Sequence, residues 1–248
     1  MVEELKKKAS TLTSLKTPYK CQKCKDTGYL LGTDKYGHSV FLGYCECRLL
    51  KMTQEKMDRL LNEAGIAETF KSCTFSSFND WDARVTRAKN IARKFVSDCP
   101  IGKDQNSLAI LGAVGCGKTM LGAATLNELM GNGISVLYIH FLDLMKALKA
   151  FAADSDGYQH EIEKYIKPSV LMIDDLYKGY TENDIKYIYD IINRRYFARK
   201  SLIITSELTA AQMCDIDEAT GSRIVEMCKN YIYELRGTGL NYRLRGLT

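Results

Sequence analysis

The chain has no apolar run approaching the ~20 residues that a membrane span needs. Its start carries no apolar core of the kind a secretory leader requires. Glu3, Glu4, Lys6, Lys7 and Lys8 read there as a solvated helix. These two absences argue against membrane and secreted classes, and the expected compartment is cytoplasmic. No repeat or low-complexity tract is present, which sets aside a solenoid or a disordered spacer. Charge of one sign is not in large excess either. A net charge of +5 on 248 residues permits contact with nucleic acid without demanding it. Proline is nearly absent, and its three positions act as punctuation. Pro18 precedes a cysteine pair, Pro100 follows a helical stretch from Trp81 to Asp98, and Pro168 leads into an apolar run.

Cysteine, by contrast, is plentiful. There are nine, and in a chain of this kind they read as thiols or metal ligands rather than disulfides. Cys21-x-x-Cys24 and Cys45-x-Cys47 form two close pairs separated by a loop. That layout fits tetrahedral zinc, each pair folding into a knuckle that supplies two thiolates. His38 lies in the loop and can replace one thiolate. Four protein ligands leave no open position, so the metal is structural, and in so small a region it supplies much of the folding energy. The other five cysteines (Cys73, Cys99, Cys116, Cys214, Cys228) read as ordinary small residues.

The strongest motif is Gly112-Ala113-Val114-Gly115-Cys116-Gly117-Lys118-Thr119, a full match to the phosphate loop G-x-x-x-x-G-K-[ST]. An apolar strand leads in and a helix from Met120 leads out. Glycines let the backbone N–H groups turn inward at phosphate oxygens, and the helix adds its positive end. Lys118 reaches the β- and γ-phosphates, and the Thr119 hydroxyl ligates Mg²⁺. Cys116 sits inside this loop, so alkylating it is expected to block nucleotide binding.

Val170-Leu-Met-Ile-Asp174-Asp175 is an apolar strand ending in two carboxylates, the form of a Walker B element. Asp174 is expected to hold Mg²⁺ and Asp175 to orient or deprotonate the attacking water. Asp in place of the commoner Glu suggests slow, partner-dependent hydrolysis. The strand 201–206 is expected beside the Walker B strand, bringing Thr205, Ser206 or Glu207 near the γ-phosphate. Arg223 begins a short helix, and Arg236, Arg243 and Arg245 follow.

Periodicity places strands at 107–112, 134–140, 169–174, 201–206 and 230–235. Helices are expected at 119–131, 141–152, 158–166, 181–198 and 218–228, with an earlier one from Leu49 to Ala64. The alternation implies an α/β fold, a parallel sheet flanked by helices. Two domains are expected: residues 1–75, a cysteine module with a helical linker, and residues 76–248, the nucleotide-binding domain.

Together these features resemble the DnaC/DnaI-type replicative helicase loaders within the AAA+ ATPases. The resemblance rests on Cys21-Gln-Lys-Cys24-Lys-Asp-Thr-Gly-Tyr29 with Cys45-Glu-Cys47, on Ala64-Gly-Ile66 and Thr74-Phe75-Ser-Ser-Phe78, and on the phosphate loop and Walker B strand. It continues through Ile192-Asn-Arg-Arg-Tyr196, Ile203-Ile-Thr-Ser206, Gly221-Ser-Arg-Ile224 and Asn241-Tyr-Arg-Leu244. It implies an ATPase using ATP, Mg²⁺ and Zn²⁺. Its partners would be a hexameric replicative helicase, docked through the N-terminal region, and single-stranded DNA, with self-association on the helicase. Carried over by residue, Gly112–Thr119 and Met120 contact the nucleotide, and Lys118, Asp174 and Asp175 serve catalysis. Ser206 or Glu207 falls in the sensor 1 region, Arg223 in the arginine-finger segment, and Arg243 at sensor 2. Glu207 stands where the family usually has Asn, and little chain follows the last strand to form a full helical lid. Lys146, Lys149 and Lys178, with Tyr177 and Tyr180, are the candidate contacts to single-stranded DNA. Two other readings are an IstB-like transposition ATPase acting on duplex DNA and a nucleotide-dependent adaptor with negligible hydrolysis.

Overall fold

The protein was analysed as a computed structural model that describes residues 19–48, 51–52, 68–98 and 106–245. The expected helices at the start of the chain and from Leu49 to Ala64 lie largely outside these residues, as do Ala64-Gly-Ile66 and Cys99. The chain divides into two compact units, Met1–Asp58 and Arg59–Thr248.

In the first unit, β1 (Tyr29–Thr33) pairs antiparallel with β2 (Ser39–Tyr44), from Tyr29 opposite Tyr44 to Thr33 opposite Ser39. The Asp34 carboxylate makes the connecting turn by accepting from the Tyr36 N–H (2.8 Å) and the His38 N–H (2.9 Å). This hairpin carries the sequence between the two cysteine pairs.

The second unit begins earlier than the expected boundary at residue 75. Helix α1 (Glu68–Lys71) and the turn after it belong to it: Asn127 Nδ2 donates to the carbonyls of Phe70 (2.9 Å) and Cys73 (2.8 Å), and Phe75 and Phe78 are buried. Next come α2 (Ala83–Asp98), β3 (Leu108–Gly112), α3 (Lys118–Gly131), β4 (Val136–His140), α4 (Phe141–Lys149) and α5 (Ser155–Ile166). The remainder is β5 (Val170–Asp174), α6 (Glu182–Phe197), β6 (Ser201–Ser206), α7 (Ala210–Ile216), α8 (Glu218–Cys228), β7 (Ile232–Leu235) and a 3-10 turn, Tyr242–Leu244. Five strands form one parallel sheet in the order β4-β5-β6-β3-β7. Every expected strand of this unit is present, with ends shifted by two residues at most.

The sheet is buried on both faces, so β3 and β5 read as unbroken apolar runs rather than alternating ones. Ala109, Leu111, Leu171, Ile173, Leu202 and Ile204 pack beneath α4, α5, α6 and α8. On the opposite face α3 lies so close that a Cβ on Gly122 would come within 2.3 Å of Met172 Cε. Helix α7 was not expected from periodicity. It starts at a capping box in which the Thr209 hydroxyl accepts from the Gln212 N–H and the Gln212 side chain returns a bond to the Thr209 N–H.

Arg195 is the largest fully buried side chain. Its guanidinium donates to the carbonyls of Tyr165 (2.7 Å), Pro168 (3.2 Å), Ser169 (3.1 Å) and Ser201 (2.6 Å). It thereby ties the end of α5 to the starts of β5 and β6. Among the described residues no helix is long and apolar enough to cross a membrane.

Candidate functional site

The phosphate loop occupies the C-terminal end of β3, and its glycines are where the backbone needs them. Gly112 has φ of 119°, and a Cβ there would meet the Leu235 carbonyl oxygen at 2.2 Å. Gly117 caps α3 in the left-handed conformation, with its α-carbon against the Phe78 ring. Lys118 is buried, and its Nζ donates to the carbonyls of Gly112 (2.9 Å) and Ala113 (2.8 Å). The ammonium is therefore held over the loop in which a phosphate is expected. The 3-10 turn closes the other side: Tyr242 N–H donates to the Gly115 carbonyl at 3.0 Å.

Because β5 lies between β4 and β6, the Asp174 carboxylate gathers hydroxyls from three neighbouring segments. Thr119 Oγ1 donates to it at 3.0 Å, Tyr138 OH at 3.1 Å, and Thr205 Oγ1 makes a third short bond. Asp174 is only 3 % exposed. Burial, and then the Asp174 charge, push the Tyr138 phenol far above its usual range, so it remains a donor. A carboxylate and a threonine hydroxyl in contact at the mouth of a phosphate loop are hard oxygen donors, the set that Mg²⁺ takes.

Asp175 follows with a left-handed φ of 55°, its N–H donating to Thr205 Oγ1 at 2.9 Å. Its carboxylate is paired with Lys178 Nζ at 2.9 Å and faces His140 Nε2 at 3.6 Å. These groups surround a cavity of about 610 Å³, within the range of small-molecule sites. Lys118, Thr119, Asp174, Asp175, Glu207 and Arg243 all line it. Val114, Gly115, Gly117 and Met120 line it as well. So do aromatic rings that sequence reasoning did not assign: Phe78 and Trp81 with centroids 6.3 Å apart, and Tyr242 4.6 Å from Trp81. Such a wall suits a flat heterocycle beside the phosphate groups.

Several expected roles fare differently. Ser206 is fully buried and its hydroxyl donates to the Leu176 carbonyl at 2.7 Å. It is spent on fixing the Walker B loop, and Glu207 faces the cavity instead. Arg223 is not a lining residue. It sits on α8, its guanidinium 5.4 Å from the Tyr189 ring centroid and donating to the Ala219 carbonyl at 2.6 Å. Cys116 is fully buried, donates to the Ala113 carbonyl at 2.8 Å, and burial raises its pKa. Alkylation of that thiol, the step expected to block nucleotide binding, is therefore slow in the folded protein. Of the candidate DNA contacts, Lys149 pairs with Asp184, Lys146 with Asp143 (3.3 Å) and Lys178 with Asp175 and Glu207, while Tyr177 is buried and Tyr180 is exposed, its ring centroid 5.4 Å from that of Tyr177.

In the first unit, the sulfurs of Cys21, Cys24, Cys45 and Cys47 all lie within 4.8 Å of one another. Cys21 Sγ is 3.7 Å from Cys45 Sγ, and Cys24 Sγ is 3.4 Å from Cys47 Sγ. Four thiolates at tetrahedral zinc stand about 3.8 Å apart, so this cluster fits the metal. The Gly28 N–H donates to Cys24 Sγ at 3.3 Å. The Arg48 guanidinium stacks over Tyr29 and Tyr44 beside it. His38 is not part of the cluster; its Nδ1 faces Asp34 Oδ2 (3.3 Å) at the hairpin turn.

Comparison with known proteins agrees with this arrangement. Residues 42–225 match the family described as IstB-like ATP binding proteins. The phage-like element PBSX protein XkdC of Bacillus subtilis is 33% identical over 92% of this chain and 88% of its own length. The replicative helicase loader DnaC of Escherichia coli K12 is 28% identical over 69% of each chain. The crystal structure of the DnaC helicase loader superimposes with a TM-score of 0.62 at 24% identity, covering 68% of this chain and all of that one, which shows the fold alone.

Proposed function

Since the chain belongs to the IstB-like ATP-binding family, with an AAA+ P-loop fold, we propose that it is an ATPase that loads a hexameric replicative helicase onto single-stranded DNA. The observation that carries the ATPase reading is the convergence of Lys118, Thr119 and Asp174 on one cavity, with Asp175 at its edge. Lys118 and the loop N–H groups would hold the β- and γ-phosphates. Thr119 and Asp174 would hold Mg²⁺, which neutralises charge on the phosphate oxygens when bound. Asp175 is the group placed to orient the attacking water and accept its proton. In this structure its carboxylate is occupied by Lys178, in keeping with slow turnover that a partner accelerates.

The loader role rests on likeness to the helicase loader DnaC and on the cysteine unit that precedes the nucleotide site. Cys21, Cys24, Cys45 and Cys47 would hold Zn²⁺ and so fix the hairpin as a docking module for the helicase. Arg223, which does not reach its own chain's cavity, is free to act at a neighbouring copy's site when copies gather on the helicase. Arg243 is the sensor 2 candidate, and Glu207, just beyond β6, is the sensor 1 candidate that lines the cavity.

The test is a pull-down against a hexameric replicative helicase in ATP or ADP, with a Cys21→Ser/Cys24→Ser arm, alongside ATP turnover with and without helicase and single-stranded DNA. Capture that needs the cysteines, with helicase-stimulated turnover, supports the loader. A second reading follows from the family match itself: an IstB-like transposition ATPase. It predicts preference for duplex over single-stranded DNA and indifference to helicase.

A further inference from the structure

The nucleotide motifs leave Lys178 without a role, yet it lines the same cavity as Lys118 and Thr119. Its Nζ lies 2.9 Å from Asp175 Oδ2 and 2.8 Å from Glu207 Oε1, bridging two carboxylates that also line the cavity. The backbone carrying it is fixed from both sides. Leu176 N–H donates to the Thr205 carbonyl (2.9 Å), Ser206 Oγ donates to the Leu176 carbonyl (2.7 Å), and Lys178 N–H donates to the Asp175 carbonyl (3.0 Å). Asp175, Tyr177 and Gly179 are all left-handed, giving a tightly wound turn, and the Tyr177 ring is buried against Phe141. The Lys178 side chain itself is 48 % exposed, with solvent-side room to change partner.

An ion pair this exposed is weak, so a stronger anion can displace it. The terminal phosphate of a nucleoside triphosphate is such an anion: it carries more charge than either carboxylate, and lysine binds phosphate as a mobile point charge. A diphosphate lacks that group. Glu207 and then Asp175 raise the Lys178 pKa, so the ammonium is charged while it bridges them.

We propose that Lys178 reads which nucleotide is bound: its ammonium moves from Asp175 and Glu207 to the terminal phosphate of ATP, and Asp175 is released when it does. The proposal rests on the reading that this cavity binds ATP. Lys178 thereby becomes a positioning residue. It keeps the water-orienting carboxylate neutralised until a triphosphate is present, and it makes the protein bind ATP more tightly than ADP.

The test is equilibrium binding of a non-hydrolysable ATP analogue and of ADP, with Mg²⁺, to the full chain and to Lys178→Met, Lys178→Arg and Glu207→Gln. Lys178→Met is expected to weaken the ATP analogue about tenfold, a typical coupling strength, while ADP binding stays within about twofold. Lys178→Arg keeps most of the discrimination. Glu207→Gln removes a competing anion and tightens the ATP analogue a few fold, so two neighbouring changes move affinity in opposite directions. Lys178→Met weakening both nucleotides equally, or neither, overturns the proposal, and so does a Glu207→Gln that binds the analogue less tightly. Failure of the unaltered protein to bind either nucleotide overturns the ATP reading itself, a distinguishable result.

Discussion

Arg195→Met isolates a single buried charge whose guanidinium donates to backbone oxygens. In the folded chain the guanidinium satisfies carbonyls of Tyr165, Pro168, Ser169 and Ser201. Burial lowers its pKa to about 9, so it is cationic at neutral pH. Methionine fills similar volume but donates nothing. Ser169 O retains the Ser201 N–H, so the loss falls chiefly on the carbonyls of Tyr165 and Pro168. Stranding one buried and one part-buried acceptor costs up to about 1–3 kcal/mol each. Relief from burying a cation offsets part of that. The expected net destabilisation is about 3 kcal/mol, a large share of the roughly 5–15 kcal/mol by which domains are stable. With a urea slope of about 2 kcal/mol/M, the midpoint should fall by about 1.5 M. The chain's one tryptophan, Trp81, lies in the same unit and reports the transition by fluorescence. Nucleotide affinity at low temperature should be unchanged, because Arg195 does not line the cavity. A midpoint within about 0.3 M of the unaltered protein would show that the clamp contributes nothing net, and the reasoning would fall.

Other expectations follow from the same geometry. Lys118→Ala should abolish nucleotide binding by filter or fluorescence assay, and retained affinity would remove the phosphate loop from the site. Asp174→Asn should lower turnover by about a hundredfold or more while ATP binding loses its dependence on Mg²⁺; unchanged Mg²⁺ dependence would point to other ligands. Cys116 should resist maleimide in the native protein as pH rises from 7 to 9, because a raised pKa keeps the thiolate scarce over that window. Mass spectrometry identifies the labelled cysteine, and prompt modification there would contradict the burial. Chelation should release zinc and render the first unit sensitive to protease, with nucleotide binding retained in the second. Loss of both together would tie the units more closely than expected.

The sheet was readable because its strands are short apolar runs set between glycine and helix signals. β3 and β5 also carry the two motifs at their C-terminal ends, where open α/β sheets place their ligands. The β1–β2 hairpin was not readable. Leu31, Phe41 and Leu42 are exposed, so the apolar residues of these strands do not mark a buried face. α7 left one trace, the Thr209-x-x-Gln212 spacing of a capping box, too short to compete with the strand before it. At the site, Lys118, Thr119 and Asp174 were legible as motif. Tyr138, His140, Trp81 and Tyr242 were not, since they come from distant segments and meet only after the sheet has formed. Lys178 was visible only as a charge, and its two carboxylate partners, not its sequence neighbours, define what it can do.

The three hydroxyls on Asp174 have a consequence for how the molecule matures. Tyr138 comes from β4 and Thr205 from β6, and each points at the same carboxylate only while its strand keeps register with β5. A slip of one residue in either strand turns that hydroxyl to the opposite face of the sheet. A chain with a misaligned sheet would then carry an intact phosphate-loop sequence and yet lack the hydroxyl-ringed carboxylate at its mouth. The candidate site is thus composed only when the strands are correctly aligned, so its assembly reports on the fold as a whole.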